Sequence, residues 1–201
     1  MDPSLTVFDR TSQWYTERLS QFDFAPKANM LGVEPLEEGV RVALMTDSFE
    51  VSAKGIASES GGEVPFSETV ILSNYILRCP DLFPRKGGWI TWREVPGSGA
   101  LAVYVGSNAV KVIETRFASD LDGLSKATKL LGGAVMPSQG SDFSARFDLL
   151  PRIPLTMHFN TADDEFPASC TLLFAEDVGA WLDTESLAIL AVLFAEKLTH
   201  L

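Results

Sequence analysis

Two clusters of residues carry groups that could do chemistry. The first is Asp163, Asp164 and Glu165, three consecutive carboxylates just before Phe166-Pro167. Adjacent carboxylates can ligate a hard cation or supply a general acid of raised pKa. Glu165 leads the three, because a carboxylate beside a phenylalanine can be partly desolvated. A calcium loop of the EF-hand kind needs spaced oxygen ligands and a later bidentate glutamate, and that pattern is absent. The competing reading is a solvated turn whose aspartate bonds nearby backbone amides, and turn chemistry favours it. The second cluster is Trp89, Trp92, Arg93 and Glu94. Indoles offer broad contact area, and the charged pair offers polar orientation, the mixture that ligand sites use. The same tryptophans can instead strap a long coil onto the core, and packing is the commoner use of a buried indole. We expect Arg93 and Glu165 to meet as a salt-bridged clamp, with Arg152 the other candidate partner.

Other chemistries find less support. His158 and His200, with Cys79 and Cys170, have no zinc spacing. There is no Gly-x-Ser-x-Gly elbow. Cys79 ends a helix before Pro80, where the dipole disfavours a thiolate, and Cys170 reads as an inert strand thiol. The glycine pairs match neither the dinucleotide fingerprint nor the phosphate loop. We therefore expect no metal and no cofactor.

The chain has 201 residues, 16 Lys+Arg against 27 Asp+Glu, a net charge of −11, and 46% hydrophobic residues. That apolar content supports a substantial core. The acidity argues against nucleic acid, which needs clustered cations to displace counterions, and against anionic membrane surfaces. The longest apolar run, Leu187 to Ala195, is far short of the ~20 residues of a membrane span. The N-terminal residues lack a secretory signal, so reduced cysteines and a cytoplasmic location are expected.

Periodicity supplies the elements that must position the two clusters. Ser4 to Phe22 reads as an amphipathic helix, with Pro26 ending any continuation. Val40 to Val51 reads as a hairpin, followed by a loop from Ser58 to Val64. Phe66 to Arg78 reads as a helix capped by Ser67. Residues 80–100 are irregular. Ser107 to Phe117 and Asp120 to Leu131 read as helices, the second stopped by Gly132-Gly133. Phe143 to Leu149, Leu155 to Phe159 and Phe166 to Phe174 read as strands, and a final helix is capped at Asp183 or Thr184. The fold class expected is α+β, with a largely antiparallel or mixed sheet flanked by helices. It should be a single domain over 1–201, with a helical N-terminal extension (1–38) packed on a core (39–201).

Several pieces in order resemble the bacterial and archaeal domain-of-unknown-function family 3786. They are Val70 to Leu77, Gly88-Trp89-Ile90-Thr91-Trp92-Arg93-Glu94-Val95-Pro96-Gly97, Lys129 to Gly133, Leu150 to Leu155, Asp163-Asp164-Glu165-Phe166-Pro167-Ala168, Leu172 to Phe174 and Leu182 to Leu187. The resemblance covers most of the chain from about residue 40 and implies a shared fold without an established activity. Some relatives look like fusions to a cysteine-rich iron–sulfur module, which points to anaerobic or corrinoid-linked metabolism. This chain has no Cys-x-x-Cys run, so it cannot hold a four-cysteine cluster by itself.

The leading expectation is a non-enzymatic module that binds a small molecule or a protein partner through the Trp89–Gly97 segment and the Asp163–Pro167 turn. A second is an enzyme using Glu165 or Asp164 as acid/base with Arg93 as anion clamp. A third is a homodimer that buries the final helix.

Overall fold

In the computed structural model, residues 6–138 and 140–201 are described. The chain opens with helix α1 (Val7–Leu19), whose Thr6 and Asp9 close a reciprocal capping box. Helix α1 ends before Pro26, but the chain then forms a second helix that the sequence does not predict, α2 (Phe24–Leu31). Pro26 falls in the first turn, where its missing N–H has no intrahelical partner to lose. Gly32 ends α2 in the left-handed region at φ 72°. A side chain there would also stand 3.0 Å from the Arg152 guanidinium. That guanidinium donates to the carbonyls of Met30 (2.9 Å) and Asn29 (2.8 Å), occupying orphan acceptors at the helix end.

A four-stranded antiparallel meander follows: β1 (Glu34–Leu36), β2 (Gly39–Leu44), β3 (Asp47–Ser52) and β4 (Gly55–Ser58). Val40 opposes Val51 and Val42 opposes Phe49, so the expected hairpin buries its apolar side chains. Its turn is two residues, since Leu44 pairs with Asp47 across Met45-Thr46. Strand β4 was not expected; it is short and carries no alternating apolar signal. Helix α3 (Phe66–Leu77) begins after Pro65 and has no side-chain cap, so Ser67 does not play the expected role.

The second sheet has the order β5-β9-β8-β7-β6, all antiparallel: β5 (Trp89–Thr91), β6 (Ala134–Val135), β7 (Phe143–Leu150), β8 (Ile153–Asn160) and β9 (Ser169–Ala175). Alternation sorts its two faces. Phe147, Met157 and Phe174 enter the core; Arg146, Asp148, His158 and Thr171 lie on the opposite face. The architecture is α+β with two antiparallel sheets.

Residues 102–117 form one helical run, longer than the expected Ser107 to Phe117. It comprises α4 (Ala102–Val105), a π-turn (Gly106–Val110) and α5 (Lys111–Phe117). Helix α6 (Leu121–Leu130) is capped by Asp120, which accepts from Gly123 N–H at 2.8 Å. Helix α7 (Thr184–Thr199) is capped by Asp183 in the same way, through Ser186 N–H at 2.7 Å. Leu187, Leu190, Ala191, Phe194 and Leu198 are fully buried. Helix α7 packs against α3, α5 and the π-turn, and Phe194 meets Phe147 of β7 edge-to-face at 4.7 Å. The apolar face expected at a homodimer contact is thus covered by the chain's own elements. Among the described residues no helix is long and apolar enough to cross a membrane.

Candidate functional site

Strand β5 decides where the tryptophans go. Trp89 opposes Ala175 and Thr91 opposes Leu173, both on the sheet face away from the core. After Thr91 the chain enters a 3-10 turn, Trp92–Glu94. That turn swings Trp92 to the core side, edge-to-face with Phe174 at 6.1 Å. Trp89 stays 43% exposed while Trp92 is 8% exposed. The two indoles therefore face different clefts, one on each side of β5.

Glu94 serves neither cleft. Its carboxylate accepts from the Thr91 N–H and hydroxyl, both at 2.8 Å, and so caps the 3-10 turn. Those two hydrogen bonds hold its carboxyl below the ordinary 4.5. A depressed carboxyl contributes stability above its unfolded pKa and loses it as pH falls through the folded value. Glu94 thus supports the turn at neutral pH and releases it in acid. In a Thr91→Val variant, which keeps the backbone donor and loses the hydroxyl, the Glu94 carboxyl should titrate part of the way back toward 4.5 by NMR; an unchanged titration would show that the Thr91 hydroxyl does not hold it.

The outer cleft encloses about 660 Å³, within the range of small-molecule sites. Phe83, Lys86, Trp89, Arg146, Arg152 and Trp181 line it, with Asp148 and Asp177 as its carboxylates. The Arg146 guanidinium lies over Trp89 at 5.8 Å from the ring centre, and Arg152 lies over Phe83 at 5.4 Å. Arg146 also stands 3.7 Å from Asp148. Trp181 Nε1 points at Asp177 at 3.5 Å. Among the described residues neither Lys86 nor Arg152 has a carboxylate within ion-pair distance.

One wall is a strap, residues 80–88, fastened at both ends. Asp81 pairs with Lys27 at 2.6 Å. Gly88 N–H donates to the Glu176 carboxylate at 3.1 Å, and Glu176 N–H donates to Gly88 C=O at 3.0 Å. The closeness of this fastening explains Gly87: a Cβ there would sit 2.0 Å from Glu176 Oε2.

The inner cleft, about 610 Å³, is lined by Trp92, Arg93, Val103, Val110 and Phe174, with Cys170 at its wall. The π-turn shapes its helical side. The Asn108 side chain donates to Tyr104 C=O at 2.8 Å, satisfying a carbonyl near the bulge. Trp92 Nε1 is buried with no hydrogen-bond partner among the described residues. Burial pushes the Cys170 thiol well above its usual range, so it is no nucleophile.

The acidic bend joins neither cleft. Asp163 Oδ1 accepts from Glu165 N–H (2.8 Å) and Phe166 N–H (2.7 Å), and Asp163 N–H donates to Phe166 C=O at 2.9 Å. This is the self-bonded aspartate turn. No ion pair joins Arg93 to Glu165 or Asp164 among the described residues, and Arg152 is spent on helix carbonyls. The expected clamp is absent. Phe166 is 67% exposed, so it shields Glu165 from little water. Trp92 and Arg93 share the inner cleft, Trp89 lies in the outer one, and Glu94, Asp163, Asp164 and Glu165 lie in neither.

The sequence reading passed over Phe83, Lys86, Arg146 and Trp181. Arg146 and Asp148, flanking Phe147 on one strand, were a usable signal of a charged face. His158 is satisfied across the sheet by Ser144 Oγ, at 2.7 Å from Nδ1. Among the described residues no group of three His, Cys, Asp or Glu could hold a metal ion.

Two antiparallel sheets around a buried C-terminal helix, with a strap over the exposed face of the larger sheet, define the class of domain. The family described as Domain of unknown function (DUF3786) matches residues 23–197, and the chain belongs to that family. Searches of curated proteins and of solved structures each return no match.

Proposed function

We propose that this chain is a small-molecule-binding module whose ligand is an anion held in the outer cleft. The observation carrying the reading is three cations, Lys86, Arg146 and Arg152, gathered in one cleft of a chain of net charge −11, with Lys86 having no carboxylate within ion-pair distance among the described residues. Lys86, Arg146 and Arg152 outnumber Asp148 and Asp177 in the cleft lining, which leaves a positive spot on an acidic chain. Concave walls raise the local potential and so the local anion concentration. Phe83, Trp89 and Trp181 supply the apolar area that turns attraction into residence. The strap pre-forms the site and lowers the ordering cost of binding.

The test uses the fluorescent probe anilinonaphthalene sulfonate. The wild type should bind it at one saturable site. A Lys86→Ala/Arg146→Ala double variant should weaken binding by about tenfold, the scale of two partly exposed charge contacts. Arg93→Ala should leave binding unchanged. Weakening by Arg93→Ala alone would place the site in the inner cleft and overturn the assignment.

A further inference from the structure

Building on the outer cleft as the ligand site, we infer that the anion it takes is a planar aromatic monocarboxylate stacked on Trp89. The cleft twice pairs a guanidinium with an aromatic ring: Arg146 with Trp89 and Arg152 with Phe83. A saturated anion uses only the cations of such a site. A ligand with its negative charge on a conjugated ring uses both components, the ring against indole and the carboxylate against guanidinium. Trp89 is free to serve this way. It sits on an edge strand, and Arg146 covers it from 5.8 Å while 43% of the residue remains exposed.

That spacing is too short for a third ring to slide between them, so the ligand ring extends the stack along the uncovered part of the indole. Asp148 lies 3.7 Å from the Arg146 guanidinium. The acids also limit the ligand's charge. Asp148 and Asp177 line the same cleft as the three cations and would repel a second negative group. One carboxylate therefore fits better than a dicarboxylate or a phosphate ester.

The experiment compares two monocarboxylates of similar size and equal charge on the full chain by calorimetry: 2-naphthoate, which is planar, and decalin-2-carboxylate, which is not. The wild type should bind 2-naphthoate about tenfold more tightly, the scale of one good aromatic stack. Trp89→Ala should erase the preference by weakening 2-naphthoate alone, and Trp89→Phe should keep part of it. Both Trp89 variants are on an exposed edge, and circular dichroism checks that they fold. Equal binding of the two compounds by the wild type, or a preference that survives Trp89→Ala, overturns the aromatic inference while the anion site stands. Binding of neither compound overturns both.

Discussion

Replacing Phe194 with alanine is expected to lower the unfolding free energy by about 4 kcal/mol, in line with phenylalanine truncations in close-packed cores. Phe194 is fully buried. It projects from α7 onto the core face of β7, where it meets Phe147 edge-to-face at 4.7 Å. The substitution removes its transfer free energy, leaves a cavity and breaks an aromatic pair worth about 1 kcal/mol of its own. The surroundings have little freedom to collapse. Leu190, Ala191 and Ala195 are themselves fully buried and held on the same helix. Urea unfolding measures the loss, and an unchanged denaturant slope confirms that the unfolded state is the same. A loss below 2 kcal/mol would mean that α7 can shift to fill the space. Binding by the folded variant should be preserved, because Arg146 leaves the opposite face of the strand that carries Phe147.

The legible parts of the chain were those with a strong periodic signal. β7, β8 and β9 alternate apolar and polar side chains over seven or eight residues, and α7 carries apolar residues on every turn around a clear N-cap. α2, β4 and β6 are short, and α2 contains a proline, which breaks a helix only past the first turn; that Pro26 lies in the first turn becomes evident only once Asp23 is seen as the cap position. The π-turn joins two helical pieces, and the first of them, Ala102–Val105, lies before the Ser107 at which the sequence predicts the helix to start.

The site was harder to read than the fold, for a physical reason. The outer cleft draws on four stretches: the strap with Trp89, the Arg146–Asp148 part of β7, the turn at Arg152, and the segment from Ala175 to Trp181. Only the sheet order β5-β9-β8-β7 brings them together. Charge density along the chain pointed instead to Asp163–Glu165, where adjacency in sequence produced a turn satisfied by its own backbone. Trp89 and Trp92 fall in one irregular stretch of sequence, but the 3-10 turn after Thr91 sends them to opposite sides of a strand.

The second large effect is expected at Lys197, whose ammonium ties three separate elements together. Its Nζ lies 2.6 Å from Asp47 Oδ2 on β3 and 3.4 Å from Glu68 Oε1 on α3. Glu68 is 7% exposed, so its charge depends on this partner more than that of the better-solvated Asp47. Burial works against the ammonium, but the Asp47 hydrogen bond and the pull of both carboxylates outweigh it, so Lys197 titrates above the usual 10.5. A raised lysine contributes fully below its unfolded pKa and loses that contribution as pH rises through the folded value. The tie therefore holds through the neutral range and weakens only in strong alkali. Lys197→Met keeps most of the side-chain volume and removes the charge, stranding the Glu68 carboxylate with no cation. Losing one partner of a buried pair costs 3–5 kcal/mol when both are fully enclosed; with Lys197 26% exposed, about 2–3 kcal/mol is expected here. Adding Glu68→Gln to the same chain should restore more than half of the loss, because a neutral amide needs no counter-ion. A double variant no more stable than Lys197→Met would assign the loss to the Asp47 contact or to methionine packing instead of the stranded charge.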